Sequence, residues 1–242
     1  MKKMILFAAL LVALSATAAM ATGVSVSWGN KCWADGGVSS LTWACNSNTN
    51  TGIRMTCSFQ PAADKSNFVG VGIFMEGATN DPGTLCPDWW KLGTGECRAN
   101  AVSVSADASV LPGACLDPWT PAGGGGGGFG LYTDDTYRAH MNAFWAIADI
   151  APIAATDEVF AIQYRVAATK TVGTGLCAGC TTPFTWALNY IQVSYSVGAD
   201  EFLGTPITGG NQCLRWNGGT ALCDRPIPAR NTTWGQVKSL YR

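Results

Sequence analysis

The chain has 242 residues, with 15 Lys or Arg against 16 Asp or Glu, for a net charge of −1. So few charges, nearly balanced and without a basic run, exclude nucleic acid as the expected partner. Ten cysteines and 29 glycines, with many Ser, Thr and Val, favour an extracellular all-β protein over a helical one.

Residues 1–21 read as a secretory signal peptide. Lys2 and Lys3 form the positive region, Ile5–Leu14 the apolar core, and Ala19-Met20-Ala21 the small-x-small cleavage site. The apolar core is about ten residues, half of the roughly 20 that span a bilayer. Removal of this segment leaves 13 basic and 16 acidic residues. The expected location is secreted: extracellular, periplasmic or at the cell surface, with at most peripheral contact with a membrane.

Strands are expected wherever residues alternate or run apolar over short lengths. In chain order these are Val24–Trp28, Leu41–Cys45, Ile53–Phe59, Phe68–Met75 as a central strand, and Ala101–Val110. Residues 111–130 read as loop, because the glycines at 123–128 have no side chains to pack; they lack the Gly-Lys-Ser/Thr ending of a phosphate loop. Tyr137–Ile147 alternates, with Ala139, Met141, Ala143, Trp145 and Ile147 on one side and Arg138, His140, Asn142 and Phe144 on the other. Val159–Val166 and Trp186–Tyr195 read as a hairpin around the turn Lys170–Gly175 and the pair Cys177-x-x-Cys180. The sum is an antiparallel β-sandwich, jelly-roll or immunoglobulin-like, and disulfide-stapled. The expected divisions are the signal peptide 1–21, a sandwich domain 22–200, a disulfide-closed loop extension 201–225, and a Pro-containing linker and tail 226–242.

All ten cysteines follow the cleavage site, which reads as a disulfide framework rather than a metal site. The expected pairs join sequence neighbours: Cys32–Cys45, Cys57–Cys86, Cys97–Cys115, Cys177–Cys180 and Cys213–Cys223. In the tail, Thr233 and Gln236 have capping-box spacing, and Trp234, Val237, Leu240 and Tyr241 share a helical face. They are expected to form a recognition or anchoring element.

The blocks VSWGNKCWADGG, LTWACN, FVGVGIFMEG, WWKLGTGECR, KTVGTGLCAGC and TTWGQVKSLYR resemble a group of small exported bacterial proteins, a likeness that brings no activity with it. The order FVGVGIFMEG followed by EVFAIQYRVA resembles the strand rhythm of cohesin-type β-sandwiches, which implies a non-catalytic adhesion module.

No nucleophile elbow or zinc-protease motif occurs, and His140 is the sole histidine. The chain is therefore expected to be a non-catalytic surface, adhesion or carbohydrate-binding module, with polysaccharide or another surface protein as partner. Trp89, Trp90 and Asp88 are its candidate ligand contacts. The alternative is a secreted glycan hydrolase using Glu76, Asp81, Asp88 and Glu96, since such enzymes need two carboxylates. The acidic doublets Asp134-Asp135, Asp157-Glu158 and Asp200-Glu201 offer oxygens that calcium prefers, but without loop-type ligand spacing. No cofactor is expected, with calcium as the lesser alternative.

Overall fold

A computed structural model describes residues 22–49, 52–81, 83–111, 113, 115–134, 137–221 and 223. The signal peptide and the tail with Trp234, Val237, Leu240 and Tyr241 lie outside the described residues. Two sheets pack face to face. The smaller runs in the order β1 (Gly23–Trp28), β3 (Ile53–Gln60), β8 (Val159–Val166), β5 (Val102–Ser105). The larger runs β2 (Ser40–Leu41), β11 (Cys213–Trp216), β9 (Phe184–Tyr195), β4 (Lys65–Thr79), β7 (Arg138–Ile153), β6 (Gly125–Asp134), with β10 (Glu201–Leu203) also on β9. All pairs are antiparallel except the short β11–β2 contact. The expected all-β sandwich is the fold, and the only helical pieces among the described residues are 3-10 turns at Asp88–Trp90 and Ala108–Val110.

The inward side chains follow the period of two. Val26, Met55, Ile162, Tyr164, Ile73, Met141, Ile191 and Val193 are all fully buried between the sheets. The smaller sheet is covered on its outer face as well, so Ser25, Ser27, Thr56, Ser58 and Gln163 are also buried. Glu158 fastens part of this cover, its carboxylate accepting from the backbone N–H of Trp33 (2.9 Å) and Ala34 (2.8 Å) and from the Ser58 hydroxyl.

Several sequence expectations are corrected. The glycine run is not a loop: Gly125–Asp134 is the edge strand β6, paired along its length with β7. A Cβ on Gly125 or Gly127 would sit 2.6–2.8 Å from Trp145 side-chain atoms. The missing side chains are what let Trp145 lie against this strand. β8 and β9 are not a hairpin; they belong to different sheets, and the long connection 167–183 crosses between them. Of the expected strand Leu41–Cys45 only Leu41 is paired, in the two-residue strand β2, and the chain then turns through Cys45 at φ 53°. The stretch 201–225, read as a loop extension, supplies β10 and β11 to the larger sheet.

The disulfides are Cys32–Cys115, Cys45–Cys180, Cys97–Cys177 and Cys213–Cys223, so the last alone matches the local scheme. Cys57 and Cys86 are free and buried. Cys57 faces the core from the middle of β3, with its Sγ 3.9 Å from Met75 Sδ, while Cys86 stands on the loop before Trp89. Cys177 and Cys180 diverge because the crossover they occupy receives two other loops, one on each sulfur. Three of the bridges span 80, 83 and 135 residues. The chain-entropy account gives each of these about 4.5–5 kcal/mol before native strain, well above a four-residue bridge.

Two outcomes follow from this framework. Non-reducing peptide mapping is expected to recover Cys45–Cys180 and Cys97–Cys177, and the double variant C45S/C180S should lose about 2–5 kcal/mol in denaturant unfolding. Alkali should also destabilise the fold. Burial raises Cys57 far above its ordinary 9.0 and Cys86 to about 12, and it raises Tyr164 well above 10.0. Tyr195 is raised first by burial and then by its hydrogen bond to Glu201. These groups lose protons in the unfolded chain before they do in the folded one. Stability is thus complete below about pH 8 and falls as pH rises past about 9–10. Melting scans from pH 7 to 11 check this; in C57A/C86A the decline should begin about one pH unit later, at tyrosine ionisation.

Candidate functional site

The tryptophans singled out from sequence are core residues. Trp89 and Trp90 are both 0% exposed. Trp89 stacks on Trp216 (4.9 Å) and Trp90 on Phe184 (5.2 Å), in a cluster that also takes in Trp28, Trp43 and Trp186. Adjacent residues of a strand point to opposite sides, but these two lie in a 3-10 turn, which lets both rings enter one cluster with centroids 4.7 Å apart. Neither ring offers a face to a ligand. Asp88 is exposed and paired with Lys91 at 2.8 Å.

Beneath the cluster lies Arg98, itself 0% exposed. It donates from Nη1 to the Trp89 carbonyl (2.8 Å), from Nε to that of Thr169 (3.0 Å) and from Nη2 to that of Ala167. Its guanidinium carbon sits 3.7 Å from the centroid of Trp89. Burial lowers its pKa, and the three carbonyls are what hold the charge there.

The surface that stands out lies on the other side of the molecule's larger sheet, on its outer face. Phe74 on β4, Phe144 on β7, Tyr190 on β9 and Phe202 on β10 form one aromatic stripe across four strands. Successive centroids lie 5.4, 4.3 and 6.0 Å apart in the order Phe144, Phe74, Tyr190, Phe202. Phe144 is 53% and Phe202 64% exposed. Register puts Phe144 and Phe202 level with each other, opposite Gly72 and Gln192. Gly72 leaves the ring room: a Cβ there would stand 3.0 Å from Phe144 Cε1, a tight contact that its absence avoids. On the flank toward β6, Gly126, Gly128 and Gly130 leave open space.

Polar groups frame the stripe. Glu76 pairs with Arg138, and Asn189 Nδ2 donates to Glu76 Oε2 at 3.5 Å. Asn189 stands where the β4–β9 register shifts. His140 stacks on Tyr132 (4.6 Å, 9° between planes), and its Nε2 is 2.9 Å from Asp134 Oδ2, off the line of a hydrogen bond. Gln192 Nε2 donates to Asp200 at 2.5 Å. The face thus combines apolar rings with amide, guanidinium, imidazole and carboxylate groups on a rigid support, the make-up of a recognition surface.

Of the carboxylates named for a hydrolase, Glu76 lies within this frame, tied to Arg138. Asp88 pairs with Lys91, and Glu96 accepts from the backbone N–H of Gly93. Asp81 belongs to the loop after β4. Among the acidic doublets, Glu158 is committed to Trp33, Ala34 and Ser58, and Glu201 to Ala62 N and the Tyr195 hydroxyl. No group of three or more His, Cys, Asp or Glu that could hold a metal occurs among the described residues, and no helix among them is long and apolar enough to cross a membrane.

The stripe was half visible in sequence. Phe144 falls on the polar side of the Tyr137–Ile147 alternation, which marks an outward aromatic. Phe74 was hidden inside the continuous run FVGVGIFM, and Tyr190 and Phe202 gain meaning only when β10 is laid on β9. No family model matches this chain, and no curated protein or solved structure compared with it is similar.

The buried arginine gives a direct test. Arg98→Lys should cost about 2–4 kcal/mol, since one ammonium cannot serve three carbonyls and the ring at once. Chemical denaturation of the two proteins under non-reducing conditions measures the difference.

Proposed function

We propose that this chain is a secreted, non-catalytic β-sandwich module that binds polysaccharide through the aromatic face of its larger sheet. The observation that carries the reading is the stripe Phe144–Phe74–Tyr190–Phe202, with its outer two rings more than half exposed. Sugar rings present C–H faces to aromatic side chains and hydroxyls to amides and charged groups. The stripe supplies the first, and Asn142, Asn189, Gln192, Glu76 and Arg138 supply the second. A sheet holds these groups in fixed relation, so little ordering cost accompanies binding. Four disulfides suit an oxidising exterior compartment.

The double variant F144A/F202A is the first experiment. Both rings are exposed enough that the melting temperature should shift by no more than about 2 °C. Retention on insoluble polysaccharides and signal on a glycan array should fall at least about tenfold, in line with aromatic anchors elsewhere. Unchanged glycan binding would overturn the assignment of this face. Binding to surface proteins in place of glycans would make it an adhesion surface. Release of reducing ends from a bound glycan would favour the hydrolase reading, with Glu76 as the first carboxylate to replace.

A further inference from the structure

A second site lies on the smaller sheet, remote from the aromatic stripe in the topology. Arg54 on β3 and Arg165 on β8 are direct cross-strand partners. Like charges in that position repel. Both guanidiniums donate to one neutral oxygen, Gln163 Oε1, from Arg54 Nη1 at 3.1 Å and from Arg165 Nε at 3.0 Å. Gln163 is itself fully buried and fixed on its other side, where Nε2 donates to Thr56 Oγ1 at 3.1 Å. Arg165 Nη2 is buried and has no hydrogen-bond partner. Among the described residues neither arginine forms an ion pair, and neither does Lys31. Asp107 feels the charge of Arg165, but it is exposed and already held by the Ser109 N–H (3.0 Å) and hydroxyl (2.5 Å).

Arg54 and Lys31 open onto a surface recess of about 570 Å³, whose walls include Trp28, Asn30 and Val38. The recess therefore has two cations on its wall, Lys31 and Arg54, and Arg165, which is not part of the lining, stands beside Arg54 on the neighbouring strand and adds its charge. That is the inverse image of a carboxylate, which takes two donors of a guanidinium at once and cancels the repulsion between two of them. The open shape and the mixed wall, apolar at Val38 and amide at Asn30, suit a ring carried on a chain rather than an enclosed small molecule.

We infer that Lys31 and Arg54, with the charge of Arg165 on the neighbouring strand behind them, form an anion subsite that takes the carboxylate of an acidic saccharide, a uronic-acid polymer. The inference concerns a different face from the aromatic stripe and stands or falls separately.

Calorimetric titration of the intact disulfide-bonded protein with oligogalacturonate, and with the neutral galactose oligomer of equal length, tests it. The acidic oligomer should bind at least about tenfold more tightly. Raising salt from about 0.05 to 0.5 M should weaken it severalfold. Arg54→Gln should remove most of the preference, and Arg54→Lys should retain part of it. Arg165→Gln carries some risk to folding; Arg54→Gln and Lys31→Gln, on the recess rim, keep the question open to test. F144A/F202A should leave this binding intact, which separates the outcome from the fate of the sheet-face reading. Inorganic phosphate should compete with the oligomer. Equal affinity for acidic and neutral oligomers, full binding by a folded Arg54→Gln protein, or binding of phosphate without uronate would each overturn the assignment.

Discussion

One end of this sandwich is built on a stack of aromatic rings seated on a buried cation. Trp89 lies between Arg98 on one side and Trp216 on the other, at 3.7 and 4.9 Å. Three indole N–H groups tie the stack outward, Trp89 to Thr171, Trp216 to the Cys180 carbonyl and Trp28 to the Arg215 carbonyl, whereas those of Trp90 and Trp186 are buried without a partner. The rings come from separate parts of the chain, around Trp28, Trp43, Trp89–Trp90, Phe184–Trp186 and Trp216, so the cluster forms only when both sheets and the crossover are in place. Such an arrangement is cooperative, because removing one member leaves buried polar groups without partners. Cys45–Cys180 and Cys97–Cys177 then close covalently around the same place.

That end frees the faces of the sheets for other uses. The smaller sheet is covered over much of its outer face, and its outward Ser and Thr residues bond to backbone and loop groups, as when the Thr56 hydroxyl donates to the Gly29 carbonyl at 2.7 Å. The larger sheet is left open. Its outward positions are sorted by strand: glycines on β6, aromatics on β4, β7, β9 and β10, and charges toward the Arg138 end. An apolar row exposed on a sheet invites association, and a glycine-rich edge strand does too. Their meeting on one face is the physical reason for proposing recognition there.

What the sequence determined by itself was the class of the protein. Alternation in Val24–Trp28, Ile53–Phe59, Tyr137–Ile147, Val159–Val166 and Trp186–Tyr195 specifies strands because every second residue must face the core, a rule local enough to read without the fold. What tertiary structure decided was everything that depends on which strand lies beside which. β8 and β9 are consecutive but sit in opposite sheets, so the hairpin reading failed and the cysteines between them found distant partners. The glycine run became a strand because Trp145 on the neighbouring β7 covers it. Trp89 and Trp90 went inward because a 3-10 turn replaced an extended segment. The stripe on the larger sheet and the arginine pair on the smaller one draw residues from strands far apart in the chain. Periodicity reports which way a side chain points, but only the register between strands reports what it meets.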